Sequence, residues 1–166
     1  IAAVTSCTTA TDASMMIAAG LLARNAAAQG LKPQPWVKCI LAPGSRATED
    51  ILAAAGLIKG LQDLGFYTCG FGCMSCIGNS GPVYPAMHDI ADSIELASIL
   101  SGNRNFDGRI SPDVSQNYLC APALVIAYSL VGTMDFDFET TPIATNAEGK
   151  EVFLRDIWPN DEEVAR

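Results

Sequence analysis

Strand-like apolar runs and helix-like segments alternate along the chain. Residues 1–4 form a short apolar run typical of a buried strand. A helix is predicted to start at a cap on Thr11 or Asp12 and to end at Gly30, because apolar residues between them recur with the helical period. These apolar positions are Met15, Ala18, Ala19, Leu22 and Ala26.

The pattern of apolar residues, with the positions of glycine and proline, predicts further elements along the rest of the chain. They are strands at 36–41, 66–69 and 94–100, a helix from Thr48 to Gly65 interrupted near Gly56, a short helix from Pro85, a helix at 122–131 stopped by Gly132, and short extended pieces near Phe136 and 152–154. Strands that alternate with helices predict an α/β fold, with a parallel sheet and helices on both of its faces. No internal repeat interrupts this order, and residues 1–166 are predicted to form a single domain.

Composition and charge narrow the class of protein. The chain has 166 residues, of which 49% are apolar and 17% charged, so it can bury a core of its own. A formal net charge of −8 and scattered basic residues disfavour nucleic acid as a partner. No apolar run approaches the roughly 20 residues that cross a bilayer, so we expect a cytoplasmic protein with no membrane partner. Because the chain opens at Ile1 without a methionine, we also expect it to be a piece of a larger chain.

The cysteines are expected to be reduced thiols, because the chain is larger and richer in core residues than small disulfide-bonded scaffolds. There are six of them: Cys7, Cys39, Cys69, Cys73, Cys76 and Cys120. Cys39 and Cys120 lie in apolar stretches and are predicted to be buried thiols. Cys69 precedes the Cys73 and Cys76 pair closely, which leaves it open as an alternative metal ligand.

Three chemically distinctive segments each follow a candidate strand. They are Cys7, the loop that holds Cys73 and Cys76, and the loop from Asn103 to Arg109. Ligands bind at the carboxyl ends of strands in parallel sheets, so we expect the three segments to converge on one edge. The sulfurs of the three cysteines are then expected to fall within a span on the order of 10 Å even without a metal.

The Cys73-Met74-Ser75-Cys76 spacing lets two thiolates reach one metal centre, and the glycines around it free the backbone to wrap that centre. Taken alone, the spacing is compatible with an iron–sulfur cluster, a zinc site, a redox-active thiol pair or plain structural cysteines. Zinc is the weaker metal candidate, because the chain offers no second pair of this kind and a single histidine, His88.

Several distant segments together resemble the aconitase family. They are Val4-Thr5-Ser6-Cys7-Thr8, Leu41-Ala42-Pro43-Gly44-Ser45, residues 72–81 (GCMSCIGNSG), residues 101–109 (SGNRNFDGR) and residues 152–159 (VFLRDIWP). The resemblance is specific because it combines a lone cysteine, a CxxC pair 73 − 7 = 66 residues later and an NRNFxGR loop. It runs from end to end of the chain, in the order that the family has.

The resemblance implies the third domain of a four-domain enzyme of the cytosolic aconitase and iron-regulatory-protein branch. It implies that Cys7, Cys73 and Cys76 hold a [4Fe-4S] cluster whose fourth iron is open to a tricarboxylate substrate, which is interconverted between citrate and isocitrate through cis-aconitate. It assigns no catalytic residue to this chain, because the family's serine base and its assisting His and Asp residues lie in the other domains. We therefore expect the chain by itself to be inactive and to be isolated without an intact cluster.

The loop from Asn103 to Arg109 carries the expected substrate contacts. An arginine presents a planar fork of donors that can engage a carboxylate bidentately. The resemblance places Asn103 and Arg104 by the cluster and substrate, and Arg109 on a substrate carboxylate. From the residues alone, a surface loop whose arginines pair with nearby acids is the competing interpretation.

Departures from the family pattern keep the substrate open. Thr9 stands where the family usually has Asn, and Ser111 stands where His is common. A 2-methylcitrate or 2-methylisocitrate dehydratase, a cluster-free RNA-binding protein of the iron-regulatory type and a cluster-free structural domain are the alternatives. Asn79 and Ser80 are candidates to line the cluster pocket or simply to cap turns, and His88 is expected at the surface.

Overall fold

The computed structural model describes residues 1–6, 12–72, 74, 79–102 and 110–166. Four parallel strands form the main sheet, in the order β2-β1-β3-β4. They are β1 (Ala2–Thr5), β2 (Cys39–Ala42), β3 (Ala97–Leu100) and β4 (Gln116–Leu119). A two-stranded antiparallel ribbon, β5 (Ala144–Thr145) with β6 (Glu151–Val152), lies apart from this sheet. The parallel α/β prediction is confirmed.

Seven helices accompany the strands in the part of the chain that the structure describes. They are α1 (Ala13–Ala28), α2 (Arg46–Ala54), α3 (Ile58–Asp63), α4 (Pro85–His88), α5 (Pro122–Val131), α6 (Leu154–Ile157) and α7 (Asp161–Ala165). Asp12 caps α1 by accepting a hydrogen bond from the Ser14 amide at 3.1 Å. None of these helices is both long and apolar enough to span a bilayer.

The main core lies between one face of the sheet and the helices. α5 packs on β1 and β3, and α1 packs on α5 and α3. Ala2 and Val4 of β1 face this core together with Leu22 of α1. At the contact of α1 with α3, a Cβ on Gly60 would lie 2.9 Å from the Arg24 Cα, so only glycine permits this approach.

The opposite face of the sheet carries a smaller apolar cluster. Its buried members are Ala3, Ile40, Ala42, Leu100 and Ile110, with Ile1 and Met74 packed against them. None of these residues belongs to a helix.

Some predicted elements differ from the observed ones. In α1 the predicted apolar positions Ala19, Leu22 and Ala26 are buried, whereas Met15 is 45% exposed and Met16 is buried instead. Residues 66–69 contribute a single parallel bridge, between Leu41 and Thr68, and not a full strand. β4 was not predicted, because Gln116 and Asn117 break the apolar pattern of its strand.

The tail is more regular than its sequence suggests. Phe136 lies in no strand and instead stacks edge-on against Phe138, with ring centroids 4.9 Å apart. The acidic stretch 161–163 opens α7, where Asn160 accepts a hydrogen bond from the Glu163 amide at 2.8 Å. The tail joins the core through Asn25, whose side chain donates to the Ile157 carbonyl at 3.0 Å.

Candidate functional site

The predicted site residues lie in three segments outside the described residues. These residues are Cys7, Cys73, Cys76, Asn103, Arg104 and Arg109. What the structure does describe is the chain on each side of these segments. The convergence of the three segments can therefore be examined through the residues that lead into them and out of them.

Ser101 joins the ends of β1 and β3. One main-chain rung between the strands is the bond from the Ser101 amide to the Ala3 carbonyl, at 3.2 Å. The next donor in a parallel ladder, the Thr5 amide, bonds instead to the Ser101 hydroxyl at 2.9 Å. That hydroxyl donates in turn to the Thr5 carbonyl at 2.7 Å. The Ser101 side chain thus binds both the amide and the carbonyl of Thr5, at the point where β1 leads to Cys7 and β3 leads to Asn103. We call this pair of hydrogen bonds the bracket.

Gly102 completes this junction. A Cβ at Gly102 would come closer to the Thr5 Oγ1 than real Cβ atoms approach other atoms, and that oxygen belongs to a buried threonine. The chain that leaves β3 for the loop 103–109 therefore passes directly against Thr5. Any side chain at this position would push the loop away from the end of β1.

The turn after β2 joins the first cysteine segment to the second. The Ser6 hydroxyl accepts a hydrogen bond from the Gly44 amide, and the Ser6 amide donates to the Ala42 carbonyl at 3.3 Å. On the other side of the same turn, the Gly72 amide donates to the Pro43 carbonyl at 2.8 Å. The residues immediately before Cys7 and Cys73 are thus tied to two consecutive residues of one turn.

A third junction joins the exits of the two later segments. The Ser80 amide donates to the Ile110 carbonyl at 2.8 Å. Lys38 holds the same stretch, since its ammonium group donates to the Ser80 carbonyl at 2.5 Å and to the Pro82 carbonyl at 2.8 Å. Ser80 follows the segment of Cys73 and Cys76, and Ile110 follows Arg109.

These contacts form what we call the loop ring, made of residues 5–6, 43–44, 72, 80, 101–102 and 110. The ring holds the residues before all three segments with predicted site residues and the residues that follow the second and third of them. The ring lies at the carboxyl ends of β1, β2 and β3, the edge at which ligands bind in parallel sheets. The distances between the cysteines themselves stay a prediction.

Buried polar side chains gather at this ring. Among the described residues, four of the six buried polar ones are Thr5, Ser6, Ser80 and Ser111, all within the ring or next to it. The Thr5 Oγ1 and the Ser80 Oγ are buried without a hydrogen-bond partner among the described residues. An unpaired buried hydroxyl costs stability, so the chemistry of the ring fits a bound group that accepts hydrogen bonds.

The other cysteines lie away from this arrangement or at its margin. Burial raises the pKa of Cys39 to about 12, and burial likewise raises the pKa of Cys120 to about 12. Both are partly buried and pack against the main core, so they are less enclosed than predicted. Cys69 is exposed, and its amide donates to the Leu41 carbonyl at 3.0 Å.

His88 lies at the surface as expected. Its Nδ1 is 2.9 Å from the Asp113 Oδ1, and its side chain is 65% exposed. In the described part of the chain, no three His, Cys, Asp or Glu side chains are grouped so that they could hold a metal ion.

The family assignment follows from the first 132 residues of the chain. These residues match the aconitase family (aconitate hydratase). The chain belongs to the aconitase family. The matched region ends at Gly132, directly after α5. The loop ring and all three segments therefore lie inside the matched region.

Curated relatives extend the likeness over the whole chain. It is 55% identical to aconitate hydratase A of Corynebacterium diphtheriae, 51% identical to aconitate hydratase A of Thermus thermophilus and 54% identical to phosphinomethylmalate isomerase of Streptomyces viridochromogenes. Each alignment covers 99% of this chain. The chain spans only 18 to 19% of the length of these relatives.

Sequence reasoning named Ser80 as a candidate to line the pocket but assigned no role to Thr5, Ser6 and Ser101 of the ring. These three residues were noted only as parts of the motifs that resemble the family, although each stands where a strand ends and a loop begins. A hydroxyl residue at the end of a buried apolar strand was the available signal, since such a side chain must find a partner there.

Proposed function

We propose that this chain is the cluster-binding part of an aconitate hydratase, which interconverts citrate and isocitrate by dehydration and rehydration. The observation that carries the proposal is 55% identity over 99% of the chain to an aconitate hydratase A. The acting protein would include segments beyond this chain, because the chain matches less than a fifth of that relative.

The proposed cofactor is a [4Fe-4S] cluster held by Cys7, Cys73 and Cys76. Support comes from the donor set, since thiolates are the protein ligands that such clusters take. Further support comes from the loop ring, which ties the residues before Cys7 and Cys73 to one turn. When bound, a cluster with three protein ligands supplies a Lewis-acidic iron that can polarise a hydroxyl group.

The side chains of the loop 103–109 are proposed to bind and orient the substrate. Arg104 and Arg109 would each offer a fork of donors to a carboxylate, and Asn103 would add an amide donor. These cations matter because the chain as a whole carries a net charge of −8, which repels an anionic substrate. Lys38 is a poorer candidate for this role, since its ammonium group is already held by the Ser80 carbonyl of the loop ring and by the Pro82 carbonyl outside it.

A second candidate substrate, phosphinomethylmalate, is suggested by the name of one relative. Phosphinomethylmalate isomerase is 54% identical to this chain, almost the same identity as the aconitate hydratases reach. Both names describe polyanionic substrates. We therefore propose that this segment supports either substrate and that the choice between them depends on side chains elsewhere.

The test begins with anaerobic reconstitution of the complete gene product with iron and sulfide. We expect about four irons, a visible absorption band and turnover of citrate. Cys73→Ser should lose iron and turnover together, whereas Cys39→Ser, a cysteine outside the loop ring, should retain both. Iron uptake that is the same in the two variants would remove Cys73 from the ligand set.

The two substrates are separated by kinetics on the same preparation. Citrate, isocitrate and phosphinomethylmalate are compared by kcat/KM. Turnover of phosphinomethylmalate alone would replace the aconitate hydratase assignment and leave the cluster assignment in place. Failure to turn over any of the three in an iron-loaded preparation would overturn the proposed activity.

A further inference from the structure

Two hydroxyl groups of the loop ring are buried at a cost. Thr5 is 2% exposed and Ser80 is 7% exposed, and neither hydroxyl has a partner among the described residues. Other buried hydroxyls are satisfied: Ser129 donates to the Ile126 carbonyl at 2.7 Å, and Ser98 donates to the Asn117 side chain at 2.5 Å. The unpaired hydroxyls are thus a property of the ring and not of buried hydroxyls in this protein generally.

The neighbouring groups of the ring are already engaged. The Ser101 hydroxyl is used by the amide and the carbonyl of Thr5. The amide of Ser80 is used by the Ile110 carbonyl, and its own carbonyl by Lys38. Both residues are therefore fixed in place through their main chains, and their hydroxyls are left over.

The positions of the two hydroxyls relate them to the loops. The Thr5 Oγ1 lies against the Gly102 Cα, where the chain departs for residues 103–109. Ser80 stands between the segment that ends at residue 78 and Ile110, which follows the loop 103–109. Each of the two residues therefore lies next to the flanks of two of the three segments.

We propose that the Thr5 and Ser80 hydroxyls donate hydrogen bonds to the anionic group bound inside the loop ring. This inference rests on the proposed function. The acceptor class is an anionic atom, either a sulfur of the cluster or a carboxylate oxygen of the substrate. A hydroxyl has one proton to donate, and a charged acceptor forms the stronger bond with it. In the metal-free protein the two unpaired hydroxyls lower stability, and binding of the anionic group removes this cost.

The test is Thr5→Val, which removes the hydroxyl and keeps the shape of the side chain. In the metal-free gene product, amide exchange in β1 and β3 should become slower, because an unpaired buried hydroxyl is gone. In the loaded protein the same change should weaken the bound state, by on the order of tenfold in affinity or retention. A merely structural threonine cannot give these opposite signs. Ser80→Ala should behave in the same way.

Separate arms distinguish the two acceptors. A donor to cluster sulfur should shift the reduction potential of the cluster, measured by redox titration, and leave the Kd of citrate unchanged. A donor to a carboxylate should weaken citrate binding, measured by calorimetry, and leave the potential unchanged. Thr5→Ser keeps the hydroxyl and should restore the affected quantity. Ser129→Ala removes a satisfied hydroxyl and should lower stability without altering either quantity.

Unchanged potential and unchanged citrate affinity in Thr5→Val and Ser80→Ala would overturn the proposal, provided that the parent protein takes up iron. A parent protein that takes up no iron and binds no citrate would sink the proposed function, and this inference with it. The state of the parent therefore shows which of the two has failed.

Discussion

The main core lies against one face of the sheet, whereas the loop ring lies at the carboxyl ends of its strands. The two regions are held by different forces. Val4 packs among apolar side chains of the main core, whereas its neighbour Thr5 is held by the Ser101 hydroxyl. Burial of apolar area stabilises the core without fixing directions. The ring depends on directional hydrogen bonds and includes two unpaired hydroxyls. The contrast teaches that non-directional burial holds the core, whereas directional hydrogen bonds hold the flanks of the three segments at one edge of the sheet.

Thiol chemistry gives the largest expected contrast. The pKa of Cys39 is raised from 9.0 to about 12 by burial against the core, so at pH 8 its thiolate fraction is about a thousandfold below that of an ordinary thiol. Alkylation followed by mass spectrometry should show Cys39 reacting far more slowly in the native chain than in the denatured chain. The exposed Cys69 should react readily in both. Equal native rates for the two thiols would contradict the contrast.

The same raised pKa has a consequence for stability at high pH. The unfolded state ionises Cys39 near pH 9 and the folded state only near pH 12, so its contribution to stability is complete below pH 9. That contribution is lost as the pH rises from 9 towards 12. Cys39→Ala should flatten this decline when unfolding is followed against pH.

Leu22→Ala tests the core side of the comparison. Leu22 is fully buried in the main core, and its truncation should lower the free energy of unfolding by about 2–5 kcal/mol. Ile51→Ala, at a 41% exposed position, is the matched control and should cost less than about 0.5 kcal/mol. Iron content of the folded Leu22→Ala protein should equal that of the parent. A selective loss of iron would mean that core packing also sets the site.

Arg109→Lys tests the opposite side. The variant keeps the charge and loses the bidentate fork, so citrate binding should weaken by roughly 1–3 kcal/mol while iron content and melting temperature stay the same. Calorimetric titration, iron analysis and a thermal scan decide the matter together. Unchanged affinity with a lowered melting temperature would return Arg109 to the role of a surface ion-pair partner.

Ser101→Ala should have the smallest effect. It removes both bonds of the bracket on Thr5 and should cost about 1 kcal/mol, given the modest net contribution of neutral hydrogen bonds. The effect should be local, with faster exchange of the Thr5 amide. Ser98→Ala, elsewhere on β3, is the control and should leave that amide unaffected. Unaltered exchange at Thr5 in Ser101→Ala would show that the bracket is not needed.

The sequence predicts elements best where their signals are local. α5 is predicted to the residue because Pro122 opens it and Gly132 ends it in a left-handed conformation, at φ 72°. β4 is missed because its strand conformation depends on pairing with β3 and not on its own polar residues. In α1 the buried positions Ala19, Leu22 and Ala26 are predicted correctly. The exception lies in its first turn, where Met16 is buried in place of Met15.

The site follows the same division. Motif resemblance identifies the three segments, and the parallel order of the strands brings their flanks to one edge. The bonds that link those flanks join residues far apart in sequence, such as Thr5 with Ser101 and Gly72 with Pro43. No local pattern reports such pairs, because any serine or glycine of the chain has the same donors and acceptors.

The bracket of Ser101 on Thr5 has a consequence for how this sequence can change. Because the Ser101 hydroxyl binds both the amide and the carbonyl of Thr5, it holds β1 and β3 in register upstream of the loop 103–109. We expect substitutions at residues 105–108, between the proposed substrate contacts, to leave the pairing of β1 with β3 intact. The carboxyl ends of the strands would then form a constant scaffold, and sequence changes within the loop would alter specificity.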